Sequence, residues 1–183
     1  MHVDLGSLIE CKRFAKSRPG IWFGPTVKFI RDGELSERVY TRDIMYHIAN
    51  AYGSFPGRNL EWDGETIARM QMQGGLTLAT LSAELSCDFS LFEYNDVTAS
   101  YLQERASKPF EPVDPDPDAS YEQSIHINLT DLEPLMVIRD KFAHNTRQAR
   151  ELTGTRIDQA FIGSCAIGRI EDLAIAAEIM RGK

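Results

Sequence analysis

The stretch R-I-D-Q-A-F-I-G-S-C-A-I-G-R-I-E-D-L-A-I-A-A-E-I-M, Arg156 to Met180, decides how the chain is read. Ile157, Ala160, Phe161 and Ile162 form a short apolar run that predicts a strand covered on both faces, and Gly163 then allows a tight turn. Ile170, Leu173, Ala174, Ala177 and Met180 recur at helical spacing, with Glu171, Asp172, Glu178 and Arg181 on the opposite face. Cys165 stands at the joint. A thiol held beside the unpaired N–H groups of a helix start favours the thiolate that ligates metal or attacks carbon.

Outward from this unit, strands and helices alternate. Ile21 to Ile30 is β-rich, with Arg31, Asp32 and Gly33 as a turn, and Thr41 caps a helix carrying Ile44, Met45, Ile48 and Tyr52 that Gly53 stops. Asn59 to Trp62 is a short strand, and Gly64 to Gln73 a helix broken by Gly74 and Gly75. Leu76 to Leu85 is apolar almost throughout and predicts an interior helix. Glu84 is then an ionisable group inside it, which must be paired, open to a cavity, or catalytic. Phe89 to Tyr94 is short and aromatic, and Asn95 or Asp96 starts a helix through Arg105. Lys108 to Asp118 holds four prolines and four acids in eleven residues and predicts an extended linker. Tyr121 to Leu129 alternates as a strand does. Ile138 to Thr155 is irregular, with a helical piece near Thr146 to Leu152, and Gly6 to Lys16 has the spacing of a short helix. The alternation predicts an α/β fold, and the closing unit is half of a crossover that wants a further strand.

The 183 residues are 43% hydrophobic and 26% charged, with a formal net charge of -7, the balance of a soluble globular protein. That acidity argues against sequence-independent binding to nucleic acid or to acidic membranes. No apolar run is long enough to span a bilayer, and the first residues lack the order of a signal peptide, so a cytoplasmic location is expected. Cys11, Cys87 and Cys165 are far apart and form no CxxC, so neither a disulfide framework nor a self-contained zinc site is legible. His47 within its helix reads as a packing or solvent-facing side chain.

Several stretches together resemble the large subunit of the aconitase and isopropylmalate isomerase family of hydro-lyases. Gly163, Ser164 and Cys165 followed by Arg169 to Leu173 look like the family's glycine-serine-cysteine turn and its glutamate-aspartate helix start. Residues 76 to 96 are similar to the segment that places an active-site glutamate, with Glu84 on that position. Residues 121 to 134 and the opening V-K-F-I-R-D-G-E-L also match, so the resemblance covers the chain from about Gly20 onward. It implies an aconitase-like α/β/α domain, incomplete relative to the family. Residues 1–119 would be a second-domain region ending in the Pro/Asp-rich linker, and 120–183 the start of the following domain.

The resemblance further implies a 4Fe-4S cluster held by three cysteines, whose free iron acts as a Lewis acid in dehydration and hydration of a hydroxy di- or tricarboxylic acid. Cys165 would be a metal ligand, Ser164 a substrate-binding residue and Glu84 the catalytic carboxylate. The CxxC that supplies the family's other two ligands is absent, and the family's threonine and asparagine after the cysteine are Ala166 and Ile167. Near Glu84, Thr80 stands where the family has asparagine, and Ser86 and Cys87 where it has glycine and alanine. Three expectations follow. The chain is a part or subunit of a hydro-lyase whose remaining elements lie on another chain; or it is a cluster-free binding or assembly subunit; or Cys11, Cys87 and Cys165 converge in a new way. In the first two it lives against a partner subunit or a copy of itself.

Overall fold

The computed structural model describes residues 24–138 and 144–182. Its centre is a parallel sheet of four strands, β1 Thr26–Asp32, β2 Asn59–Asp63, β3 Phe89–Phe92 and β4 Gln123–Asn128, in the order β3-β2-β1-β4. The register sets Phe29 beside Trp62 on one side and Ile125 on the other, and Val27 beside Leu60. Strand alternation therefore gathers Val27, Phe29, Leu60, Trp62, Ile125 and Ile127 on one face, where they are buried. The α/β expectation holds. The strand just past residue 119 joins this same sheet beside β1.

Three helices cover or border that apolar face: α1 Thr41–Tyr52, α2 Glu65–Ala68 and α3 Met72–Leu81. α1 buries Ile44, Met45, Ile48 and Ala49, the stripe its 3.6-residue spacing prescribes, and ends at Gly53. Its first turn is closed by Asp43, whose Oδ2 accepts the Tyr40 N–H at 2.7 Å and whose Oδ1 accepts the Leu135 N–H at 2.7 Å. One carboxylate thus caps a helix and pins a distant strand to it. α4, Asp96–Arg105, begins at Asn95, whose side chain accepts the Thr98 N–H at 3.0 Å, as the sequence predicts.

The other face of the sheet is polar. Lys28 Nζ lies 2.8 Å from Asp63, 3.4 Å from Glu61 and 3.8 Å from Glu93, and Tyr121 donates to Glu61 at 2.6 Å. The Lys108–Asp118 linker is exposed and free of regular structure, as four prolines require. A short antiparallel pair, β5 Leu135–Val137 and β6 Thr146–Gln148, follows β4 and leads into a 3-10 turn, Ala149–Leu152, so the helical piece expected near Thr146 to Leu152 is strand in its first half and 3-10 turn in its second. The expected helix over 6–16 lies outside the described residues.

Four expectations are corrected. The chain breaks between Arg69 and Gln71, so Gly74 and Gly75 lie inside α3 and do not end a helix. The apolar segment 76–85 is not one interior helix: α3 stops at Leu81, a 3-10 turn spans Ser82–Leu85, and Glu84 is exposed. The 3-10 turn rotates Leu85 and Ser82 inward and Glu84 outward. β1 runs through Arg31 and Asp32, which were read as a turn. Finally, residues 157–162 form no strand, and Ile157 and Phe161 are 74% and 83% exposed. An apolar run becomes a strand only beside a strand that takes its backbone groups, and no such neighbour pairs with it among the described residues.

Candidate functional site

The helix after the glycine-serine-cysteine turn is present as α5, Ile170–Met180. Asp172 Oδ2 accepts the backbone N–H groups of Gly168 and Arg169 at 2.9 and 3.0 Å, which caps the helix. The preceding turn is fastened to α3 by a compact polar knot. Arg169 Nη1 donates to Thr77 Oγ1 and to the Ala166 carbonyl, both at 2.9 Å, and Thr77 Oγ1 donates to the same carbonyl at 3.2 Å. Ala166 is buried by this contact. The small apolar residue that follows the cysteine is therefore the turn's anchor.

Ser164 and Cys165 project from the anchored turn and are exposed. Ser164 has a backbone φ of 103°, a region that residues with a Cβ enter only under strain of about 1–3 kcal/mol. Strain of that kind persists where the surroundings over-determine it, and the Thr77–Ala166–Arg169 knot is such a surrounding. Within α5, Glu171 Oε2 is buried and has no hydrogen-bond partner among the described residues.

Glu84 belongs to the same structural run as Thr77, seven positions further on, a rise of roughly 10 Å. The structure thus carries Ser164, Cys165 and Glu84 on one continuous support. It brings Ser164 and Cys165 together and leaves Glu84 at a distance, exposed and outside any internal salt bridge among the described residues. Two open clefts, of about 670 and 350 Å3, lie elsewhere. His47, Asn128, Asp131, Thr146 and Arg147 are among the residues lining the first, and burial holds the half-buried His47 below the ordinary imidazole value. None of Glu84, Ser164 and Cys165 lines either cleft.

The second described cysteine has a different environment. Cys87 Sγ donates to the Ser82 carbonyl at 3.2 Å, and burial, aided by the charge of Asp88, pushes its thiol up to about 11. It packs as a small apolar residue that stays protonated. Among the described residues no group of three or more His, Cys, Asp or Glu side chains could hold a metal ion. The described residues hold two of the three cysteines and therefore do not complete a three-thiolate cluster site; Cys11 lies outside them. Iodoacetamide labelling read by mass spectrometry is expected to modify Cys165 at least tenfold faster than Cys87 at pH 8, because Cys87 is enclosed and held protonated whereas Cys165 is exposed. Equal rates would show that Cys87 is not enclosed as described.

The residues that sequence reasoning missed are Thr77, Arg169 and Asp43, all acting through side-chain hydrogen bonds that join distant segments. Arg169 was legible only as the residue ahead of a glutamate-aspartate pair. Nothing local marked Thr77.

A family model described as "Aconitase family (aconitate hydratase)" matches residues 22–140. Among curated relatives, the 3-isopropylmalate dehydratase large subunit of Mycolicibacterium smegmatis is 38% identical over 164 residues, covering 88% of this chain and 39% of its own length. That of Methanopyrus kandleri, large subunit 1, is 33% identical over 183 residues, covering 98% and 43%. A probable methanogen homoaconitase large subunit of Methanosarcina mazei is 31% identical over 167 residues, covering 89% and 42%. The chain spans about two-fifths of the length of these relatives.

Proposed function

The chain belongs to the aconitase family, and from that premise we propose that it is the part of a hydro-lyase that contributes Glu84 as an acid–base carboxylate and Cys165 as a metal-ligating thiolate, the remaining site elements lying on another chain. The observation that carries this reading is the fastening of the Ser164–Cys165 turn to the helix that runs on toward Glu84. That contact ties the turn bearing Cys165 to the helix that precedes the Glu84 turn, which supports their belonging to one site. The substrate class is a hydroxy di- or tricarboxylic acid, by extension from relatives named for 3-isopropylmalate dehydration and homoaconitase activity. In such a dehydration Glu84 takes the proton from the carbon next to a carboxylate as the C–O bond of the neighbouring carbon breaks, and the departing hydroxide takes a proton from solvent to leave as water. Ser164 is proposed to hydrogen-bond the substrate. Cys165 is proposed as one ligand of a 4Fe-4S cluster whose other ligands lie outside the described residues.

A partner is part of the proposal. Every described residue of α5 is at least partly exposed, including Ile170, Leu173, Ile179 and Met180, and the turn beside it exposes Phe161. An apolar surface of that kind is normally covered. The relatives are large subunits by name, which supports a second subunit as the cover. A cytoplasmic location is proposed with this, and no helix among the described residues is long and apolar enough to cross a membrane.

A specific observation favours the cluster-free alternative, a binding or assembly subunit. Ala166 is buried and its carbonyl is already bonded twice, so the position after the cysteine serves packing. The isolated chain is expected to lack turnover of isopropylmalate-like and citrate-like acids after anaerobic treatment with iron and sulfide. The complex purified from the native source is expected to contain iron and to turn over one of them, with a loss of at least a hundredfold in Glu84→Gln. Robust turnover by the isolated chain would refute the need for a partner. An iron-free, inactive complex would replace the hydro-lyase reading with the assembly role.

A further inference from the structure

Arg31 stands on β1 with its side chain on the helix-covered face, in the row of Val27 and Phe29. Its exposure is 0%, its Cζ lies 4.0 Å from the centre of the Trp62 ring, and Nε, Nη1 and Nη2 have no hydrogen-bond partner among the described residues. Stacking on Trp62 satisfies one face of the guanidinium plane. The N–H groups point along its edges, and there they are unmet. Desolvation lowers the group only to about 9, so it remains a cation at neutral pH.

Among the described residues Arg31 has no carboxylate partner. Both oxygens of Asp43 are taken by backbone N–H groups, Asp63 serves Lys28 and Gly64 N–H, and Glu65 is paired with Arg69. A buried ion without a counterion is among the costliest things a core can hold. The position offers a remedy. Arg31 is the penultimate residue of β1, at the carboxyl ends of parallel strands, where open α/β sheets take their ligands. Its neighbour one step past the Ile30–Asp63 pair is Gly64, which lies directly against the Arg31 backbone and brings no partner side chain. Two residues on from Arg31, Gly33 belongs to the wall of the 350 Å3 cleft, which also includes Thr66, Met70, Glu34 and the Glu65–Arg69 pair; Arg31 itself is not in that wall. Met70 also packs on the core, and an unbranched thioether moves aside readily.

We propose that Arg31 anchors a binding site for a small, singly charged carboxylate that enters through this cleft past Met70 and is held bidentately by the guanidinium edge. The fork of N–H donors matches a planar carboxylate. Single charge follows from neutrality, because Arg69, the other cation at the cleft, is already paired with Glu65; a dianion would leave a buried negative charge. The site is distinct from the proposed hydro-lyase residues. Glu84 lies in the turn that leads into the first residue of β3, at the amino ends of the strands, whereas Arg31 lies at their carboxyl ends.

The test is thermal unfolding of the 183-residue chain in acetate, chloride and sulfate at matched ionic strength. Acetate is expected to raise Tm logarithmically with concentration, by about 3 °C at a tenfold excess over its Kd, with Arg31→Met abolishing the dependence. Should Arg31→Met fold poorly, the side-chain Nε–H resonance of Arg31 in the unmodified protein is expected to shift with acetate and not with sulfate. An equal Tm response in Arg31→Met, no acetate response at all, or the same response to all three anions would overturn the proposal. None of these readouts depends on hydro-lyase activity.

Discussion

Gly64→Ala is expected to destabilise the chain by about 4 kcal/mol, the sum of two costs that act at one atom. Gly64 has φ 103° and ψ 165°, a conformation reserved to glycine, which alone costs about 1–3 kcal/mol for a residue with a Cβ. A Cβ built there would lie 2.6 Å from the Arg31 backbone nitrogen and closer still to its carbonyl oxygen. Those atoms belong to the middle of the sheet and cannot swing away as a side-chain tip could. Gly53 supplies the comparison. It also has positive φ, 76°, but nothing lies within 4 Å of its notional Cβ, so Gly53→Ala should cost only about 1 kcal/mol. Urea unfolding of the two variants measures the difference. Equal losses would mean that β1 and β2 do not approach as described.

Trp62→Ala is expected to cost a similar amount, about 4 kcal/mol, through a cavity at the centre of the sheet. Trp62 is fully buried and stacks on Phe29 with 5.0 Å between centroids, while Phe92 lies 6.1 Å away. Its Nε1–H donates to Ser90 Oγ at 2.7 Å, and Ser90 in turn meets Ser82 at 3.0 Å, so the indole ends a buried polar chain that runs from the sheet to the start of the 3-10 turn. Trp62→Phe keeps most of the volume and loses the hydrogen bond, for an expected cost of about 2 kcal/mol. Denaturant unfolding followed by circular dichroism checks both. A Trp62→Phe variant as damaged as Trp62→Ala would locate the stability in the hydrogen bond and not in the packing.

Much of the fold was legible because its signals are local. Helical spacing through Ile44, Met45 and Ile48, the Asn95 cap, the proline-rich linker and the alternation from Tyr121 onward each depend on a few neighbouring residues, and the structure carries all of them. Proposed residues on the glycine-serine-cysteine turn were legible from a short motif, and the helix after it formed where its spacing placed it. The same stretch misled at its start. Ile157 to Ile162 has strand composition, yet composition cannot provide the neighbour whose backbone would complete a ladder.

Taken alone, the sequence determined the helices at 41–52, 96–105 and 170–180, the strands of the parallel sheet, that these alternate in an α/β fold, and to which family the chain belongs, because periodicity and motif are properties of adjacent residues. Tertiary structure alone decided which surfaces meet. It turned Glu84 outward where an apolar context placed it inside, because a 3-10 turn changes the rotation per residue from that of an α-helix. It tied Arg169 to Thr77 across 92 positions, and it buried Arg31, which sequence reading had assigned to a turn. Burial is a relation between elements, fixed only when strands and helices pack. A residue's polarity states what burying it would cost; only the packed structure states whether that cost is incurred.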